Sequence, residues 1–248
     1  MGILKKLTEE YFGDTVREED EINIDKLNVE IVSFTDNNGK FHKRGYKPKD
    51  KDTLEKLLER MIEVRGDEGD FNDIDTSDIK DMESLFLFNT TFNGDITGWN
   101  ISSVRNMRNM FYDASSFNQP IGNWEFPKVT DMSGMFYCAS SFNQPIGKWK
   151  FPNVTDMNHM FYNATSFNQD ISKWKFPNVT DMNRMFSYAT SFNQDISKWK
   201  FPNVTDMRNM FSYASSFNQD LSEWDLKGKS TTDMFSNCPI KKEYKPKM

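Results

Sequence analysis

Six tryptophans recur at a fixed step of 25 residues: Trp99, Trp124, Trp149, Trp174, Trp199 and Trp224. Phe-Asn pairs keep the same step from Phe92-Asn93 to Phe217-Asn218, and Met-Phe pairs keep it from Met110-Phe111 to Met210-Phe211. A degenerate unit precedes them, with Phe71, Ile74, Met82, Leu85 and Phe86 in the matching slots. Three residue classes held in one register over this length define a repeat protein. A single unit of this size cannot bury its own apolar face, so each must supply a wall to the next. The fold expected is therefore an α/β solenoid: a leucine-rich-repeat-like right-handed stack of about seven 25-residue coils. It would carry a parallel strand ladder on one face and short helices on the other.

Within a unit two periodicities alternate. In Ile171-Ser172-Lys173-Trp174-Lys175-Phe176 the apolar positions are first, fourth and sixth, the strand spacing of leucine-rich repeats. That places Trp174 and Phe176 inward and Lys173 and Lys175 outward. Pro177 then turns the chain. Val179, Met182, Phe186 and Ala189 follow at helical spacing, with Thr180 or Asp181 placed to cap a short helix. The chain has 22 Phe and only 37% hydrophobic residues, so its core is expected to be built from rings and Met rather than from Leu and Val.

Four segments divide the chain. Residues 1–50 form a small extension, with a possible helix over 5–12, an acidic linker over 18–21 and a hairpin around Asp36-Asn37-Asn38-Gly39. Residues 51–70 hold a capping helix, opened by Asp52 or Thr53, with Leu54, Leu57, Leu58 and Met61 on one face. Residues 71–238 are the repeats, and 239–248 a basic tail.

The unit Ile-Ser-Lys-Trp-Lys-Phe-Pro-Asn-Val-Thr-Asp-Met, continued by Met-Phe and Phe-Asn-Gln-Asp, resembles the repeat of BspA-type leucine-rich-repeat surface proteins. More narrowly it is similar to a mycoplasma-type repeat of unknown function found in bacterial lipoproteins and surface proteins. The resemblance implies a leucine-rich-repeat-like solenoid, a role in adhesion or host interaction, and a location at the cell surface or outside the cell. It defines no catalytic residues. The segment after Met1 holds no apolar run of signal-peptide or membrane-span length, which leaves the cytosol open as the compartment.

The outward positions of the strand spacing carry the candidate site. Three neighbouring units place Lys148, Lys150, Lys173, Lys175, Lys198 and Lys200 on one face, with Glu125 on one side and Glu223 and Asp225 on the other. Such a patch suits an anionic partner, either an acidic protein or an anionic glycan. The alternative is that duplication copied a solvated Lys-x-Lys, in a structural or spacer protein without a ligand. The net charge of −6, and a patch with no interleaved aromatic, argue against a nucleic-acid partner. No membrane span is expected, and the chain is expected to be a monomer.

Other features point to structure. The tryptophans belong to the core, and the Phe-Asn asparagines are expected to form a hydrogen-bonded ladder. Asp131, Asp156, Asp181 and Asp206 are expected to cap backbone rather than hold calcium. Cys138 and Cys238 have neither disulfide nor metal spacing. No Ser–His–acid set or phosphate loop is present, so no cofactor and no enzyme are expected; only a deep pocket near Tyr11, Glu30 or His42 would reopen catalysis.

Overall fold

The computed structural model describes Ile22, Ile24 and residues 26–247. The expected helix over 5–12 and the acidic linker lie outside the described residues. Strands β1 (Val29–Thr35) and β2 (Phe41–Pro48) form an antiparallel hairpin, followed by helix α1 (Lys51–Arg65) and, near the end, a single 3-10 turn at Lys242–Tyr244. No other helix or strand is present among the described residues.

The repeats are held by backbone contacts between residues one unit apart. Parallel bridges join Asp81, Asn106, Asp131, Asp156, Asp181, Asp206 and Ser230 in succession. Around each bridge, alternate N–H groups donate to the next unit. Met182 donates to Asp206, Arg184 to Arg208, Phe186 to Met210 and Tyr188 to Ser212, all at 2.9 Å. This is the segment whose apolar spacing predicts a helix. Arg184 (φ 53°) and Tyr188 (φ 59°) hold left-handed conformations, which interrupt a right-handed helix and turn the donors outward along the stack. Equivalent pairs recur in each unit, from Ser84 and Phe88 to Asp233 and Asn237. The helical spacing instead reflects successive tight turns: Met185 N–H to Met182 O, Ala189 to Phe186, and Phe192 to Ala189.

The segment expected to be a strand is also a turn. In residues 170–176 the Ser172 N–H donates to the Asp170 carboxylate, and the Trp174 N–H donates to the Ile171 carbonyl. Backbone donors used inside a unit cannot pair with its neighbour. The inter-unit hydrogen bonds therefore run beside the Thr-Asp-Met segment instead. The inward and outward pattern is nonetheless as expected: Trp174 and Phe176 are buried, and Lys173 and Lys175 are exposed.

Ring columns fill the interior. Phe86, Phe111, Phe136, Phe161, Phe186, Phe211 and Phe235 stack in order with centroids 5.4–5.7 Å apart. Trp149, Trp174, Trp199 and Trp224 stack at 6.3–6.4 Å. Five of the six indole N–H groups donate to a carbonyl 28 residues earlier, as Trp174 does to Ile146. The Phe-Asn asparagines form the expected ladder: Asn143 donates its N–H to the Asn118 carboxamide oxygen, and Gln144 bonds the same Asn118. Asp131, Asp156, Asp181 and Asp206 each accept the N–H two residues on, closing a turn rather than capping a helix.

Both ends of the repeats are covered. In β2, Tyr46 donates its N–H to Asp73 O and accepts from Asp75, which joins the hairpin to the first unit. Helix α1 buries Leu54, Leu57, Leu58 and Met61, and its cap is Asp50, whose carboxylate accepts the Thr53 N–H, rather than Asp52 or Thr53. A bidentate ion pair between Arg65 and Asp73, both contacts 2.7 Å, ties the helix end to the same unit. At the other end the tail continues the contacts: Lys241 N–H donates to Asn218 Oδ1, and Leu221 N–H donates to Tyr244 O.

Two outcomes test this packing. Replacing Phe161 with Ala, in mid-column and fully buried, is expected to cost about 3–5 kcal/mol in urea unfolding. Burial and the neighbouring Asp131 push the Asp156 carboxyl above its usual range. An acid raised on folding helps stability only below its unfolded pKa, and loses that contribution as pH rises through the folded value. Asp156→Asn, which copies Asn106 of the same bridge column, is therefore expected to raise the melting temperature at neutral pH. The gain should shrink on acidification to about pH 3.

Candidate binding face

The turn over each Ile-x-x-Trp segment projects two side chains outward, one on each side of the buried Trp. This generates two rows. One runs Gly98, Asn123, Lys148, Lys173, Lys198 and Glu223; the other runs Asn100, Glu125, Lys150, Lys175, Lys200 and Asp225. All six lysines of the sequence-derived patch are exposed. Among the described residues, none of the six forms an ion pair. The three units they belong to are hydrogen-bonded to one another in register.

The start of the first row is occupied by the hairpin. Asn37 N–H donates to Gly98 O at 2.8 Å, and the Asn38 side chain bridges Thr97 Oγ1 and Asn123 Nδ2. Gly98 is required there, because a Cβ would lie 2.8 Å from the Asp36 carboxylate. Asp36 is itself buried, accepting the N–H groups of Asn38 and Lys40 and bonding His42 Nε2 at 2.8 Å. His42 also stacks on Phe34. These contacts make His42 part of the hairpin's framework, not a free base.

The lysine units are not equivalent. Units of Lys173 and Lys198 carry Asp170 and Asp195 three residues earlier, and Asp220 follows in the next unit. Hydrogen bonds from Ser172 hold Asp170 below the usual carboxylate range, with the Lys173 charge adding to them. Bonds from Ser197 and the charge of Lys198 do the same for Asp195. Before Lys148 the sequence reads Pro145-Ile146-Gly147 instead of Asp-Ile-Ser, so that acid is missing. A groove of about 630 Å³ opens here, walled by Trp124, Phe126, Pro127, Trp149 and Pro152 and rimmed by Lys148, Lys150, Lys173 and Glu125. A second hollow, which shares Gly147, Lys148 and Lys173, adjoins it.

Another surface was missed by sequence reasoning. Phe88, Tyr112, Tyr137, Tyr162, Tyr188 and Tyr213 form an unbroken line of ring contacts, with centroids 4.2–5.5 Å apart. The line persists although the ring moves from the residue after Phe (Tyr162) to the second residue after it (Tyr188). The signal was present in Met-Phe-Tyr and Met-Phe-Ser-Tyr, but a one-residue shift hides it from a fixed period. Within the pairs Tyr112–Tyr137, Tyr137–Tyr162 and Tyr188–Tyr213 the rings lie 3–10° from parallel and cover one another's faces. Burial, then the Tyr112 hydroxyl, raise the Tyr137 phenol well above its ordinary value.

The sequence matches the family described as "Mycoplasma protein of unknown function, DUF285" over residues 54–165 and again over 145–245. The chain belongs to that family. The two matches together span most of helix α1, the repeats and most of the tail, so the repeated segment and its family coincide. No curated protein and no solved structure matches the chain. Among the described residues no helix is long and apolar enough to cross a membrane.

Exposed lysines without partners contribute little to folding. Lys173→Glu together with Lys198→Glu is therefore expected to change unfolding free energy by no more than about 0.5 kcal/mol per site. A loss several times larger in a denaturant titration would show that the patch is part of the framework.

Proposed function

We propose that this chain is a binding protein rather than an enzyme, and that it holds an anionic macromolecular partner on its lysine face. The observation that carries the reading is the array itself: six exposed lysines on three successive units, with Lys148 lacking the acid that its neighbours have. Like charges a few ångströms apart repel, and a polyanion relieves that repulsion on binding. Adhesion is the role this suits, with the partner an acidic protein or an anionic glycan. In the same reading the units wind as a right-handed, leucine-rich-repeat-like solenoid of the BspA type, acting at the cell surface. The regular hydrogen bonding and ring columns support a rigid, elongated display surface for this role.

The test is direct. Lys173→Glu, Lys175→Glu, Lys198→Glu and Lys200→Glu are introduced together, and capture is measured on arrays of acidic proteins and sulfated glycans. The expected result is loss of capture with an unchanged circular-dichroism spectrum. Binding by the wild type should also weaken steeply with salt, since the Debye length falls from about 10 Å at 0.1 M to about 3 Å at 1 M. Undiminished capture by the variant would move the site elsewhere. A wild type that captures nothing would favour a spacer without a ligand.

A further inference from the structure

Resting on that reading, we propose that the groove beside Trp124 is a subsite for one acidic sugar unit, carboxylated or sulfated, of an anionic glycan.

Four observations converge on this groove. The first is electrostatic: Lys148, Lys150 and Lys173 rim it, and Pro145 stands where Asp170 and Asp195 accompany the later lysines. The second is steric. Gly122 and Gly147 replace the serines of later units, and a Cβ on either would lie 2.3–2.4 Å from the carbonyl of Pro145 or Asp170. These glycines let adjacent units approach closely while leaving the surface above them open.

The third is an orphaned donor. Trp124, 2% exposed, forms part of the groove wall. It is the sole described side chain whose buried polar atom has no hydrogen-bond partner, while the other five indoles donate to a carbonyl 28 residues earlier. Its ring also falls outside the indole column, which begins at the Trp149–Trp174 pair. A buried N–H without an acceptor is costly; this one is closed to solvent, so a ligand oxygen reaches it only where the wall around Trp124 gives way.

The fourth is the mixed character of the lining. Phe126, Pro127 and Pro152 give an apolar wall, and Glu125 puts a carboxylate on the cationic rim. An acidic peptide would meet Glu125 as a like charge. An acidic pyranose suits this lining: its anionic group meets the lysines, a hydroxyl donates to Glu125, and its C–H faces lie on the apolar wall. The volume lies in the range of pockets that take small ligands.

The experiment titrates the full chain with four probes, followed by calorimetry and tryptophan fluorescence. These are a sulfated, uronate-containing tetrasaccharide, a non-sulfated uronate tetrasaccharide, neutral cellotetraose and hexaglutamate. The two acidic tetrasaccharides separate sulfate from carboxylate as the anchoring group. Wild type is expected to bind at least one of them and to bind cellotetraose and hexaglutamate more weakly. Pro145→Asp, which copies Asp170, and Trp124→Phe, which deletes the indole N–H together with part of the ring, should each weaken that binding by about tenfold. Lys198→Glu with Lys200→Glu, outside the groove, should weaken it by only about threefold. A purely structural Trp124 predicts a different result for Trp124→Phe: lower stability from the space left in the core, with unchanged affinity. Should both single variants bind like wild type while the four-lysine variant does not, the groove is refuted and the patch stands. Preference for hexaglutamate overturns the sugar assignment. Failure of wild type to bind any polyanion removes the patch and the groove together.

Discussion

The architecture depends on one interaction: the backbone hydrogen bonds between successive units, in which alternate N–H groups donate to the following unit and the threonine before each bridge donates back, as Thr155 does to Thr130. Met132 donates to Asp156, Met157 to Asp181, and Met182 to Asp206. With the register fixed at one unit, most core side chains lie over their own equivalents. Phe meets Phe, Trp meets Trp, and Asn bonds to Asn. Identical neighbours make the ring columns possible, and they also put like charges above one another. The column of Asp131, Asp156 and Asp181 and the rows of lysines are both consequences of this geometry.

Much of this was legible because period and burial are one signal. The step between tryptophans specified which residues face inward, and those rings are buried. The assignment of local conformation was less legible. Apolar residues at positions 179, 182, 186 and 189 match a helix, yet nothing in Arg184 or Tyr188 announces a left-handed backbone, since neither is glycine or asparagine. In the Ile-x-x-Trp segment the alternation of exposure matched a strand, while Asp170 and Ser172 closed a turn instead. Pattern reports which way a side chain points. It does not report where a backbone donor is spent.

The candidate face was visible as six lysines, but its inequality was not. That depended on Pro145 and Gly147 being read against Asp170 and Ser172 one unit later, and on a missing acceptor for Trp124, which no sequence displays. The line of tyrosines escaped for a related reason: a ring displaced by one residue along the chain returns to the same line in space. The hairpin's docking on Gly98 and Asn123 was equally hidden, since Asn38 and Asn123 lie 85 residues apart in the chain.

The inter-unit hydrogen bonds run in both senses: Met157 N–H donates forward to Asp181 O, while Thr155 N–H donates back to Thr130 O. Each end of the repeats therefore presents donors and acceptors together, as the edge of a parallel sheet does. Tyr46 meets that demand at the first unit with one N–H and one carbonyl, on Asp73 and Asp75. At the last unit Tyr244 O accepts from Leu221 and Lys241 N–H donates to Asn218 Oδ1. Stripped of either lid, the molecule would offer a ready template for another chain's edge.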